Sequence, residues 1–286
     1  MKKKFSLLDI DVKKLKNSKS IKAERHGYHI VEPSPWPFIT ATSIANLVML
    51  CLFYFHYFKI TNYWIFFVII YFSLVIGMWF RDVVIESTFQ GMHTLIVQRM
   101  LRAGFVLVLL SEAMFFFGFF WCFFYMAISP SIWIGCVWPP LGITPIHPFG
   151  IPLVNTIVLV SSGVTATFSH RCMLRTDGRY HVLNGLRLSI MFGVAFTMLQ
   201  IWEYINAPFA ISDGIYGSIF FVSTGFHGLH VIVGTIALIV CWIRQYNYHF
   251  QIDHHVGLEL SIWYWHFVDV IWILLYMTIY LWGYRW

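Results

Sequence analysis

The stretch Leu101–Ile128, LRAGFVLVLLSEAMFFFGFFWCFFYMAI, decides the class of fold. It is apolar almost throughout, with Arg102 near its start and one carboxylate, Glu112, near its middle. As a helix it would reach roughly 40 Å at 1.5 Å per residue, more than the roughly 30 Å hydrocarbon core of a bilayer. Such a segment is apolar all round and has no polar face for water. It is a membrane span.

Six further runs of the same kind lie around it. Working outward, they fall at about Phe38–Tyr57, Tyr63–Phe80, Leu153–Phe168, Leu186–Ile205, Tyr216–Ile243 and Leu258–Trp282. The expected fold class is therefore an all-α integral membrane protein with seven transmembrane helices. Composition agrees: hydrophobic residues make up 59% of the 286 and charged residues 11%, against about 25% charged in a soluble domain. So little charge cannot wet the surface of a soluble globule of this size. Trp and Tyr are abundant, as expected of rings that settle at membrane interfaces.

Seven spans place the two termini on opposite sides, and the basic residues test that count. Of the 19 Lys and Arg, only Lys59 and Arg285 fall on one side. The rest fall on the other, from Lys2 through Arg25 and on to Arg81, Arg99, Arg102, Arg171, Arg175, Arg179, Arg187 and Arg244. The positive-inside rule then sets the N-terminus in the cytoplasm or matrix. The formal charge of +6 is thus a sign of topology and not of nucleic-acid binding. The basic first 25 residues hold no apolar stretch ahead of a cleavage site, so no cleaved signal peptide is expected. The five cysteines are scattered without a CxxC pair, which argues against a disulfide framework or thiolate metal site.

Between spans two and three, Arg81–Gln98 mixes charge with apolar residues and is expected to continue as interfacial helix. Between spans three and four, Ser129–Pro152 is rich in Pro and Gly and carries no Lys or Arg. Trp138-Pro139-Pro140 cannot continue a helix. This segment reads as an ordered outer loop.

Few residues inside the spans can carry chemistry. Glu112 is costly in lipid, so it either takes up a proton or finds a partner on a neighbouring helix. His227 and His230 stand at i, i+3, where both can face one direction. His266 and Asp269 repeat that spacing on span seven and can complete a metal shell with them. Alternatively, these four serve interhelical packing, since polar groups in a membrane bundle commonly hydrogen-bond across helices. Glu86, His93, Arg244, His254 and His255 gather near the inner ends of the spans. They suit lipid headgroups or are simply solvated loop charge. Glu203 and Asp213 flank the loop between spans five and six and read as interfacial. No P-loop, dinucleotide fingerprint or nucleophile elbow occurs.

Several longer motifs stand in one order: HIVEPSPWP, TFQGMHT, LLSEAMFFFGFFW, WPPLGI, PLVNTIVLVSSGVT, ISDGIYGSIFFVSTGFHGLHVIVGT and WYWHFVDVIWILLYMTIYLWG. From about Gly27 to Gly283 they resemble the cytochrome c oxidase subunit III family. The resemblance implies two helix groups, spans one and two (about 38–80) against spans three to seven (about 101–282), splayed around a V-shaped cleft that holds phospholipid. It implies residues 1–25 as a basic extension and 26–286 as the subunit III domain. It implies no catalytic residue, haem or metal in this chain, haem a and copper lying in partner subunits. Subunits I and II and structural phospholipids are the implied partners, with no small-molecule substrate and no nucleic acid.

On the same footing, Glu112 matches the family's buried, carbodiimide-reactive glutamate. Glu86, His93 and Arg244 match lipid-associated positions. Departures fall mostly outside the helix-core motifs: Ile85 stands where many members have arginine, Met92 precedes His93, Phe168-Ser169-His170-Arg171 replaces Trp-Ala-His-His, and a histidine is replaced near Met126. The implied role is to stabilise subunit I and support its proton uptake. The implied place is the mitochondrial inner membrane with the N-terminus in the matrix, although a bacterial plasma membrane satisfies the same physics.

Two other classes weigh against that reading. A redox subunit holding haem or copper through His227, His230 and His266 would need more inward-facing histidines than these spans offer. A seven-helix receptor has its N-terminus outside, and a transporter is expected to show broken midplane helices or repeats, which the sequence lacks.

Overall fold

Lipid offers no partner for a bare peptide group, so a chain this apolar must satisfy its backbone within each segment. The computed structural model, which describes residues 26–56, 61–175 and 178–284, does so with seven long helices. They are α1 (Trp36–Phe55), α2 (Thr61–Thr88), α3 (Leu95–Ile128), α4 (Ile151–Leu174), α5 (Arg179–Ile205), α6 (Gly214–Tyr246) and α7 (Val256–Leu275). The last continues directly into a π-helical turn, Tyr276–Trp282. All seven are long and apolar enough to cross a membrane. No strand occurs among the described residues.

The expected spans are all present, and most are longer than their apolar runs. The second reaches Thr88 and the third begins at Leu95. The segment expected as one interfacial helix over Arg81–Gln98 is therefore broken: its first part ends α2, and its last part opens α3. Gly91, at φ +68°, sits in the break, in a left-handed conformation that glycine adopts without steric cost. The fourth helix starts at Ile151 and runs to Leu174, with Pro152 in its first turn, where the missing N–H has no intrahelical partner to lose. The loop expected over Ser129–Pro152 thus ends at Gly150, and it holds one short turn, Ile132–Ile134. Tyr57, Lys59, Arg285 and the lysine-rich first 25 residues lie outside the described residues.

The chain divides into two compact units, with the boundary between Met100 and Leu101. In the first, α1 packs on α2. The Trp36 indole donates to Asp82 Oδ2 (2.5 Å), Thr94 Oγ1 donates to the Gly27 carbonyl, and His29 Nε2 lies 3.5 Å from Glu86 Oε2.

In the second unit, α4 packs on α5 and α7, α5 on α6, and α6 on α7. Trp265 of α7 marks its centre and is fully buried. Its indole N–H donates to Ser162 Oγ on α4 (2.8 Å). A Cβ at Gly193 of α5 would stand 2.7 Å from the ring, and one at Gly234 of α6 would stand 2.9 Å from it. Both distances are too short for carbon, so these two glycines are what lets three helices close on one tryptophan.

Candidate functional site

Glu112 lies midway along α3, and the structure gives it a partner on α6. Its Oε2 is 2.9 Å from His230 Nε2, with the glutamate side chain about a third exposed (34%) and the histidine largely covered. The other ring nitrogen, Nδ1, faces the Phe226 carbonyl at 2.6 Å. A carbonyl only accepts, so Nδ1 carries a proton. One more proton then lies on the line between Nε2 and the carboxyl, whichever side holds it, because two bare lone pairs would repel. The Glu112–His230 pair is accordingly neutral as a whole, which suits an apolar setting. Phe116 meets the His230 ring edge-on at 5.0 Å, and Tyr264 stacks on it at 6.3 Å.

His227, three residues earlier, looks elsewhere. It is fully buried and its Nε2–H donates to the Val268 carbonyl of α7 (3.2 Å), between the rings of Phe196 and Trp272. Thr167 Oγ1 donates to the Gly163 carbonyl (3.0 Å) and so accepts from His266 Nε2–H (3.0 Å). His266 Nδ1 is 3.7 Å from Asp269 Oδ2. Hence His227, His230 and His266 are directed to three different partners, the Val268 carbonyl, Glu112 and Thr167, and Asp269 lies beside His266. A metal shell shared by these four residues, one of two readings of their spacing, does not match this geometry. Helical spacing brings two Cβ atoms to one side of a helix, but the nearest acceptors then turn the rings apart. Among the described residues, no group of three or more His, Cys, Asp or Glu is arranged to hold a metal ion.

The residues expected near the inner ends fall in both units. Glu86 and His93 belong to the first, Arg244, His254 and His255 to the second. Arg244, in the last turn of α6, lies over the Phe250 ring at 4.4 Å and against Gly257. Burial and the nearby Arg244 charge lower the pKa of His249 below its ordinary value. His255 Nδ1–H donates to the Gln251 carbonyl (3.1 Å), and its ring meets that of His170 at 5.6 Å. Beside them, Arg102 of α3 and Glu259 of α7 form a direct ion pair at 2.8 Å. Arg179 closes the end of α6, donating to the carbonyls of Gln245 and Tyr246 and lying 3.5 Å from the Tyr248 ring. A cation there complements the negative end of the helix.

The sequence reading gave Glu203 an interfacial place and no partner; in the structure only 3% of it is exposed, in the last turn of α5. Its Oε1 accepts from Tyr280 O–H (2.6 Å) and from Gln200 Nε2–H (3.3 Å), and Gln200 Oε1 accepts from Asn155 Nδ2–H (3.2 Å). The available signal was polar residues inside apolar runs: Asn155 in PLVNTIVLV, and Gln200 with Glu203 at i, i+3.

Comparison with known proteins gives this arrangement its context. The family model described as cytochrome c oxidase subunit III matches residues 26–284. A cytochrome c oxidase subunit 3 from Pisaster ochraceus is 49% identical over 261 residues, covering 91% of this chain and 98% of the relative. One from Ceratotherium simum is 49% identical over 268 residues with the same coverage. One from Paracentrotus lividus is 49% identical over 261 residues, covering 91% of this chain and 99% of the relative. With identity at this level along nearly the whole described chain, and with seven membrane-length helices in the structure, the protein belongs to the cytochrome c oxidase subunit III family.

Proposed function

We propose that this chain is a non-redox core subunit of cytochrome c oxidase, placed beside subunits I and II. There it would stabilise subunit I, its bound lipids and its proton uptake while electrons pass from cytochrome c to oxygen. In this reading the chain has no catalytic residue and binds no haem or metal, and haem a and copper belong to its partners. Residues 26–286 form the working domain and 1–25 a basic extension. The membrane is the mitochondrial inner membrane, with the N-terminus in the matrix. Helices α1 and α2 form one group and α3 to α7 another. Glu86, His93 and Arg244 contact phospholipid, and Glu112 is the carbodiimide-reactive carboxyl.

The observation that carries the reading is the Glu112–His230 pair. A histidine whose two nitrogens are both engaged by protein has no lone pair left for iron or copper. His227 and His266 support the same view, each hydrogen-bonding to another helix.

The test is gentle purification through a tag on this chain, with a reduced-minus-oxidised spectrum and metal analysis before and after the chain is dissociated. Haem a absorption and copper should co-purify with the complex and be absent from the isolated chain. Stoichiometric haem or metal on the isolated chain would overturn the proposal. So would a tagged chain that brings no oxidase with it.

A further inference from the structure

The cluster around Glu203 has a hydrogen-bond inventory that the protein leaves open. Four side chains from two helices and the π-helical turn meet there, and all are closely buried: Asn155 0%, Gln200 5%, Glu203 3% and Tyr280 2% exposed. Their bonds run in one direction, from Asn155 Nδ2–H to Gln200, from Gln200 Nε2–H to Glu203 Oε1, and from Tyr280 O–H to the same oxygen. Among the described residues, two buried oxygens remain without a protein partner, Glu203 Oε2 and Asn155 Oδ1. Both belong to groups that touch the single amide of Gln200. Among the described residues, no Lys, Arg or His lies within ion-pair distance of Glu203.

Buried oxygens of this kind are rarely left unmet. A metal cation does not suit the pair, since two free oxygens fall well short of the roughly six that a hard cation takes. A water molecule does. It can donate to both oxygens, or accept from a proton on Glu203 Oε2 and donate to Asn155 Oδ1. The second arrangement leaves no net charge in an apolar surrounding, where an unpaired carboxylate is expensive. Tyr280 reaches Glu203 from the π-helical turn Tyr276–Trp282, a rare geometry that often occurs at functional sites.

We propose that Asn155, Gln200, Glu203 and Tyr280 build a site for one buried water molecule, and that Glu203 holds a proton there as a second buried acid, separate from the Glu112–His230 pair. Two measurements on the whole purified oxidase test it. In a structure sharp enough to order waters, density should lie within hydrogen-bond distance of both Glu203 Oε2 and Asn155 Oδ1. Absence of that density, or direct protein donors on both oxygens, overturns the water site.

In infrared spectra, Glu203→Gln should delete one protonated-carboxyl C=O band that shifts between H2O and D2O, and the band should persist in Glu112→Gln. Asn155→Leu should shift it without deleting it. Loss of ionised carboxylate bands in Glu203→Gln, with no protonated band lost, overturns the proton. Should Glu203→Gln fail to assemble, the Asn155→Leu shift decides: a solvent-sensitive carboxyl band that ignores Asn155 overturns the proposal.

Discussion

Glu112 and Glu203 are both carboxylates within membrane-length helices of the second unit, yet their surroundings solve the same problem differently. Glu112 meets one basic partner across a helix pair and keeps a third of its side chain open to the surroundings. Among the described residues, Glu203 meets only neutral partners, an amide and a phenol, and is closed off. A carboxyl beside a histidine can pass its proton across one hydrogen bond without any change in net charge. A carboxyl held by amides and a phenol has no such neighbour, so its bonds fix helices in place. The contrast predicts that Glu112 is chemically accessible and structurally forgiving, whereas Glu203 is hidden and structurally demanding.

The sharpest way to break that contrast is a carbodiimide applied to the intact oxidase, read by peptide mass mapping. Label is expected on Glu112 and none on Glu203. Equal label would show that burial of Glu203 is not maintained in the membrane. Next in size is Glu203→Leu, which leaves the Tyr280 hydroxyl and Gln200 amide buried without an acceptor. The expected cost is about 2–4 kcal/mol, seen as a lower melting temperature of the purified complex or a lower yield of assembled oxidase. A change below about 0.5 kcal/mol would mean that the cluster contributes little.

His230→Leu leaves Glu112 without its partner, but the carboxyl can still turn outward. About 1 kcal/mol is expected, clearly less than for Glu203→Leu, and the reverse order would invert the comparison. Glu112→Gln retains a hydrogen bond to His230, so initial oxygen consumption should stay within about twofold of wild type, less than about 0.5 kcal/mol. Immediate loss of all turnover in an assembled complex would sink the non-redox reading. On stability, the smallest effect belongs to Arg102→Met. Its ion pair with Glu259 is partly exposed, and thermal unfolding should register less than about 1 kcal/mol.

Much of the fold was legible because membrane physics writes it in plain composition. Seven apolar runs became seven helices, and the errors lay at their ends. Arg81, Asp82 and Glu86 lie within α2, and Arg179 and Arg187 within α5. Charge marks where a hydrocarbon core ends, but helical hydrogen bonding continues past that depth, so hydropathy alone truncates such helices. The candidate site was half legible. Glu112 stands alone in an apolar run and could not be missed, but its partner lies 118 residues away. The contacts of Glu203 were not legible because it sits three residues before Asn206-Ala207-Pro208 and so reads as loop margin. Its burial depends on Tyr280, 77 residues away, and on the π-helical turn that carries it. Local periodicity says nothing about either.

Trp265 has one more implication. Its indole is tied to α4 and seated against bare backbone on α5 and α6, so it acts like a dowel through four helices. Sliding or rotating any of these helices past the others would have to shear that ring out of its seat, and close-packed interiors give way in steps instead of creeping. A lateral push from the bilayer or a neighbouring chain is then transmitted through this part of the molecule without being absorbed, as through a joint with no play.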